Sequence, residues 1–218
     1  MAVLRRSRRW ILLAVAAAAL TLGVHLFAQA HDFGGTGGCG YEVGNSGWQA
    51  LTNCTSKANN KWHAVYFGVV GNQWAGIDYA TEYALDYLYD PTDLVAYRTW
   101  SDPYPDVIVY DHDVYGNNGA VAWVDCPANN TGIGGLGASR WCRGQILRYN
   151  AFYEPFWVDE TWARAGLACH ELGHTVGLRE DTHETSGCMA AGAKDSPDGW
   201  YYDPWLHQHS KDHINANY

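Results

Sequence analysis

Positive charge is scarce in this sequence. Its 218 residues hold 14 Lys and Arg against 23 Asp and Glu, a formal net charge of −9. Lysine is confined to Lys57, Lys61, Lys194 and Lys211. So few cations leave no basic stripe for a phosphate backbone and no polybasic patch for anionic lipid. Neither nucleic acid nor a membrane surface is therefore an expected partner. Internal repeats are absent too, as is any composition break that would mark a second domain.

The chain's one long apolar run is at its start. Arg5, Arg6, Arg8 and Arg9 form a basic region, Trp10 to Leu26 is almost unbroken apolar sequence, and Ala28-Gln29-Ala30 supplies a small-x-small cleavage site. Residues 1–30 thus read as a signal peptide, too short in its apolar part for a spanning helix. Ser7-Arg8-Arg9-Trp10-Ile11-Leu12 also fits a twin-arginine signal, but general secretion is the preferred route of the two. Either route makes the protein secreted, a monomer in the extracellular space. Loss of the four arginines moves the charge from −9 to −13 and leaves residues 31–218, a size one domain with a real core fills.

An exported chain with an even number of cysteines points to disulfides rather than free thiols. Sequential pairing is preferred: Cys39–Cys54, Cys126–Cys142 and Cys169–Cys188. The rival idea, a Cys39 thiolate held on a metal as a latency switch, leaves the cysteine count odd.

Residues 31–61 are rich in Gly, Asn and Ser and predict an irregular, disulfide-stapled leading segment. His63–Val70 is a strand pattern, and Trp74–Tyr89 carries apolar residues at helical spacing until Asp90-Pro91 stops it. Strand candidates follow at Leu94–Trp100, Asp106–Tyr110, Ala120–Val124 and Gly144–Tyr149, with turn residues between them. Asp159 is the expected N-cap of a helix over Glu160–Val176. Trp162, Ala165, Cys169, Leu172 and Val176 would form its buried stripe, with Ala163, Gly166, His170 and His174 beside a cleft. A last helix is expected to start at Asp203-Pro204.

That long helix ends in His170-Glu171-Leu172-Gly173-His174-Thr175-Val176-Gly177, the pattern H-E-x-x-H-x-x-G. Four-residue spacing puts His170 and His174 on one face, where both imidazoles can reach one Zn2+ ion. Glu171 lies a quarter-turn away, placed to act as base on a water at the metal. Gly177 can take the positive φ that turns the chain sharply back.

From here the chain resembles the metzincin zinc metallopeptidases, snapalysin-like in part. Ser186-Gly187-Cys188-Met189 is similar to their Met-turn, whose methionine (Met189) floors the metal site. The resemblance implies an α+β, zincin-like domain over 31–218: a small, mostly antiparallel sheet packed on helices, with zinc helix, Met-turn and C-terminal helix. It also implies a third metal ligand six residues after His174, where this chain has Glu180, neither His nor Asp. Glu180 can ligate directly; His183 and Asp181 are the alternatives. Two residues after the methionine stands Ala191 where some members have tyrosine, so Tyr201 or Tyr202 would have to assist the oxyanion. Gly144–Tyr149 resembles the edge strand that takes an extended peptide. Trp200, Tyr201, Tyr202 and Trp205 would wall an apolar pocket.

The activity expected is a secreted zinc endopeptidase acting on protein or peptide substrates. The alternative is a catalytically impaired metzincin-like protein that binds peptides or partners without cutting them. Asp111-His112-Asp113 offers oxygen ligands for Ca2+ but reads more simply as a polar turn. His207, His209 and His213 read as surface histidines rather than a second metal site.

Overall fold

The computed structural model describes residues 40–43, 49–52, 60–70, 74–101, 104–112, 115–117, 119–125, 131–133, 140–142, 144–178, 186–215 and 218. All fall in one compact unit, Gly34–Tyr218. The signal segment 1–30 lies outside the described residues, as do Cys39, Cys54 and Cys126 and with them two of the expected disulfides.

The chain opens with an antiparallel hairpin of β1 (Gly40–Val43) and β2 (Gln49–Thr52), so the leading segment is not wholly irregular. Next come β3 (Trp62–Val70), helix α1 (Ile77–Tyr83) with a π-helical continuation over Ala84–Leu88, β4 (Val95–Thr99), β5 (Val107–His112) and β6 (Ala122–Asp125). A small hairpin of β7 (Thr131–Ile133) and β8 (Arg140–Cys142) leads into β9 (Gln145–Asn150). After a 3₁₀ segment over Ala151–Phe156 comes α2 (Thr161–Thr175), then the hairpin of β10 (Lys194–Ser196) and β11 (Gly199–Tyr201), then α3 (Gln208–Asn215). Among the described residues no helix is long and apolar enough to cross a membrane.

Five strands form the main sheet, in the order β4-β3-β5-β9-β6. Three of its four pairings are parallel and only β6 runs antiparallel, against β9. The fold is therefore α+β in its mix of elements, but the expectation of a mostly antiparallel sheet is wrong. Short strands separated by turn residues suggest hairpins, yet α1 crosses over between β3 and β4 and returns the chain in the same direction. Gly144–Tyr149 is also misplaced as an edge: β9 is paired on both sides, to β5 and to β6. The edges of this sheet are β4 and β6.

In β9 the side chains alternate, with Gln145, Leu147 and Tyr149 buried and Ile146 and Arg148 only half-buried. The buried set faces the helices. Gln145 Nε2 donates to the Thr175 carbonyl at 2.6 Å, and Tyr149 hydrogen-bonds Thr81 of α1 at 2.9 Å. Val107 and Val109 of β5 and Val65 of β3 continue this core. On the other face Arg148 pairs with Asp125 of β6.

α2 is enclosed almost all round: Ala163 and every residue from Ala165 to Gly173 are buried. Its sequence explains this, since small residues and leucines cover most of its surface and leave no wide polar face. Trp162 departs from the expected stripe: it is 41 % exposed and packs edge-on against Tyr201. Asp159 is not the N-cap either. Glu160 holds that position without a side-chain cap, while Asp159 pairs with Arg164 one turn on. α3 begins at Gln208, four residues after the expected first position at Pro204, and Asp203 is used as a buried tie instead of a cap. Its carboxylate accepts from the Gly187 amide at 3.0 Å and pairs with Lys194.

Candidate metal and catalytic site

α2 ends in a turn that its own sequence dictates. The Leu178 amide bonds the Gly173 carbonyl at 2.9 Å and the Gly177 amide bonds the His174 carbonyl at 3.2 Å. Gly177 sits at φ 97°, a conformation that side chains resist. This turn carries the Leu178 carbonyl back to His174, whose Nδ1–H donates to it at 2.9 Å. His170 is oriented the same way, its Nδ1–H donating to the Cys188 carbonyl at 2.6 Å.

Both Nδ1 atoms must be protonated, because a carbonyl only accepts. Each neutral ring then has a bare lone pair on Nε2, and these two nitrogens stand 3.1 Å apart. Two lone pairs at that separation repel unless a cation lies between them. A proton is poorly tolerated: burial, with His174 adding to it and the Cys188 carbonyl opposing, pulls the His170 pKa down to about 3. A metal ion suits the pair better. Two nitrogens about 2.0–2.1 Å from a tetrahedral zinc lie roughly 3.3 Å apart. The donor set and its carbonyl-fixed tautomers fit zinc.

Glu171 is 4 % exposed and lies near enough to Tyr149 for its charge to raise the Tyr149 pKa, which burial has already raised more. Tyr202 stacks on His170, ring centroids 4.3 Å apart and planes within 13°. It alone of the four expected pocket aromatics stacks on one of the two imidazoles. Tyr201 packs on Trp162, Trp200 stacks on Phe156, and Trp205 is largely exposed.

Below the helix lies Met189, 3 % exposed. A Cβ on Gly173 would strike its sulfur and stand 3.1 Å from its methyl, so the thioether lies in the space that the glycine leaves. Gly166, one heptad earlier, opens onto no cleft. Its missing Cβ is replaced by Tyr202, whose carbonyl carbon would lie 2.7 Å from such an atom. The Cys169–Cys188 disulfide is formed, Cα atoms 5.7 Å apart. Cys188 therefore tethers the helix covalently one residue before His170 and supplies that histidine's carbonyl partner.

The structure thus brings together His170, His174, Met189 and Tyr202, with Glu171 buried on the same helix. Glu180, Asp181 and His183 lie outside the described residues. Among the described residues no group of three His, Cys, Asp or Glu side chains is placed to hold a metal. Asp111, the first residue of the possible calcium segment, is buried and accepts from the Trp74 amide at 3.0 Å; Asp113 is outside the described residues.

Sequence reasoning missed what holds the last turn of α2. His63 of β3 is 2.7 Å from the Thr175 hydroxyl, and Gln145 of β9 bonds the Thr175 carbonyl. Burial alone holds the His63 pKa down to about 4. No family model and no curated protein matches this chain.

Proposed function

We propose that this chain is a secreted, zinc-dependent endopeptidase of the metzincin type. The observation that carries the reading is the pair of imidazoles with both Nδ1 atoms committed to carbonyls and both Nε2 atoms facing each other at 3.1 Å. His170 and His174 would hold the ion, with Glu180 as the favoured third ligand and His183 or Asp181 in reserve. When bound, zinc supplies Lewis acidity toward a water and the scissile carbonyl. Glu171 takes the proton of the attacking water and returns it to the leaving amine. Tyr202 holds the His170 ring in plane, and Met189 fills the space under the helix.

An extended peptide would join the main sheet at an edge strand. β6 is the sheet edge that packs against α2, so main-chain hydrogen bonds along Ala122–Asp125 would align substrate beside the histidines.

The experiment is metal analysis and protease assay of the oxidised protein with Glu171→Ala, Glu180→Ala and His183→Ala. Glu171→Ala keeps zinc and loses at least about 10²-fold in kcat; Glu180→Ala loses zinc. Full metal in Glu180→Ala with loss in His183→Ala moves the third ligand to His183. Wild type that binds zinc stoichiometrically but cuts no protein substrate is the peptide-binding alternative. Wild type without stoichiometric zinc overturns the reading.

A further inference from the structure

α3 carries a second pair of histidines at four-residue spacing. His209 and His213 bring their Nε2 atoms to 3.0 Å, with ring centroids 4.3 Å apart and planes at 76°. The corresponding values for His170 and His174 are 3.1 Å, 4.6 Å and 85°. Centroids so close rule out two rings aimed nitrogen to nitrogen along one line. The rings are instead bent towards each other about their nitrogens, as in a chelate.

From this geometry we infer that His209 and His213 form a second, helix-borne site for a borderline divalent transition metal such as Ni2+, Cu2+ or Zn2+. The two sites have distinct settings. His213 is 7 % exposed and so held rigid, whereas His209 is half-buried and open to solvent. One ligand is thus ordered before binding, and water can complete the coordination shell. His207 does not join the pair, since its Nε2 is engaged with the Ser186 hydroxyl at 3.0 Å. No acidic side chain is needed: two neutral imidazoles suit Ni2+, Cu2+ and Zn2+ better than Mg2+ or Ca2+.

An ion here would clip one of the two turns of α3. That helix anchors the C-terminus: Asn215 accepts from the Asp93 amide at 2.7 Å, Ile214 is fully buried, and Tyr218 donates to the Val176 carbonyl at 2.9 Å. The site's ligands are separate from His170 and His174, so the inference stands or falls independently of the peptidase reading.

The test is calorimetric titration of the oxidised, exported protein with Ni2+. Wild type, His170→Gln, His209→Gln and His170→Gln/His209→Gln are compared. His170→Gln, with the first site silenced, should bind Ni2+, and adding His209→Gln should weaken that binding about 10²-fold as a two-point chelate becomes one-point. Ions taken elsewhere on the chain are common to both variants and cancel. Equal affinity in the two variants, or no binding by His170→Gln at about 0.1 mM Ni2+, overturns the proposal. Should His170→Gln not fold, His209→Gln against wild type decides it: loss of one ion per chain supports the site and unchanged stoichiometry refutes it.

Discussion

Adding one methyl group to α2, by Gly166→Ala, tests whether this helix is as tightly enclosed as its packing implies. By helix propensity alone the change should stabilise the protein by about 1 kcal/mol. The structure reverses that sign. The new Cβ would lie 2.7 Å from the Tyr202 carbonyl carbon, closer still to its oxygen, and 3.1 Å from its Cβ. Ordinary contact begins near 3.4 Å, and the obstacle is backbone, which cannot swing aside. Overpacking of this kind costs about 1–3 kcal/mol, sometimes more. Retreat of Tyr202 also drags Asp203, whose buried hydrogen bond to the Gly187 amide is charge-assisted and contributes about 1.5–3 kcal/mol. Set against the propensity gain, the net loss is about 1.5–5 kcal/mol, centred near 3. For a domain of this size that lowers Tm by roughly 2–4 °C per kcal/mol, near 10 °C in total. The assay is thermal unfolding followed by circular dichroism, disulfides intact, at one fixed scan rate. A Gly166→Ala protein as stable as wild type, or more so, refutes the packing argument.

Replacing both Cys169 and Cys188 by serine should cost about 3 kcal/mol, the loop-closure entropy of a sequence separation of 19. Urea unfolding measures it, and a loss below about 1 kcal/mol would mean the bridge constrains little. Stability should also depend on His63, whose pKa falls from 6.5 in the unfolded chain to about 4 in the folded one. Below about pH 6.5 the unfolded chain gains a proton that the folded chain refuses, so stability declines as pH falls towards 4, by up to about 1.4 kcal/mol per unit. Urea midpoints across that window check this, and His63→Gln should show a slope shallower by up to one proton. An unchanged slope assigns the acid sensitivity elsewhere.

The elements of this fold were legible wherever local chemistry decides them. β3, α1 and α2 follow from apolar periodicity, and the turn at Gly177 from a residue that tolerates positive φ. The pairing of strands was not legible, because a parallel order depends on crossovers that no single segment encodes. The edge role expected for β9 followed from resemblance alone; its central place rests on pairing with both β5 and β6, partners that its own residues do not name. Trp162 reads as core by spacing, but its turn of α2 lies at the start, where the hairpin of β10 and β11 covers it only along one edge. At the site, His170, Glu171 and His174 were visible as a motif. The groups that orient the two rings, the carbonyls of Leu178 and Cys188, belong to the backbone and leave no mark on side-chain identity. Tyr202 was named for a different role, since stacking on His170 depends on the course of the chain after β11.

The burial of α2 on nearly every side sets how the site behaves in time. Amides on such a helix exchange with solvent only when much of the molecule opens, so the spacing of the two imidazoles persists as long as the fold does. Thermal motion that loosens exposed loops does not reach this pair directly. A pair held that way keeps its spacing, and whatever gives way around it lies outside the helix.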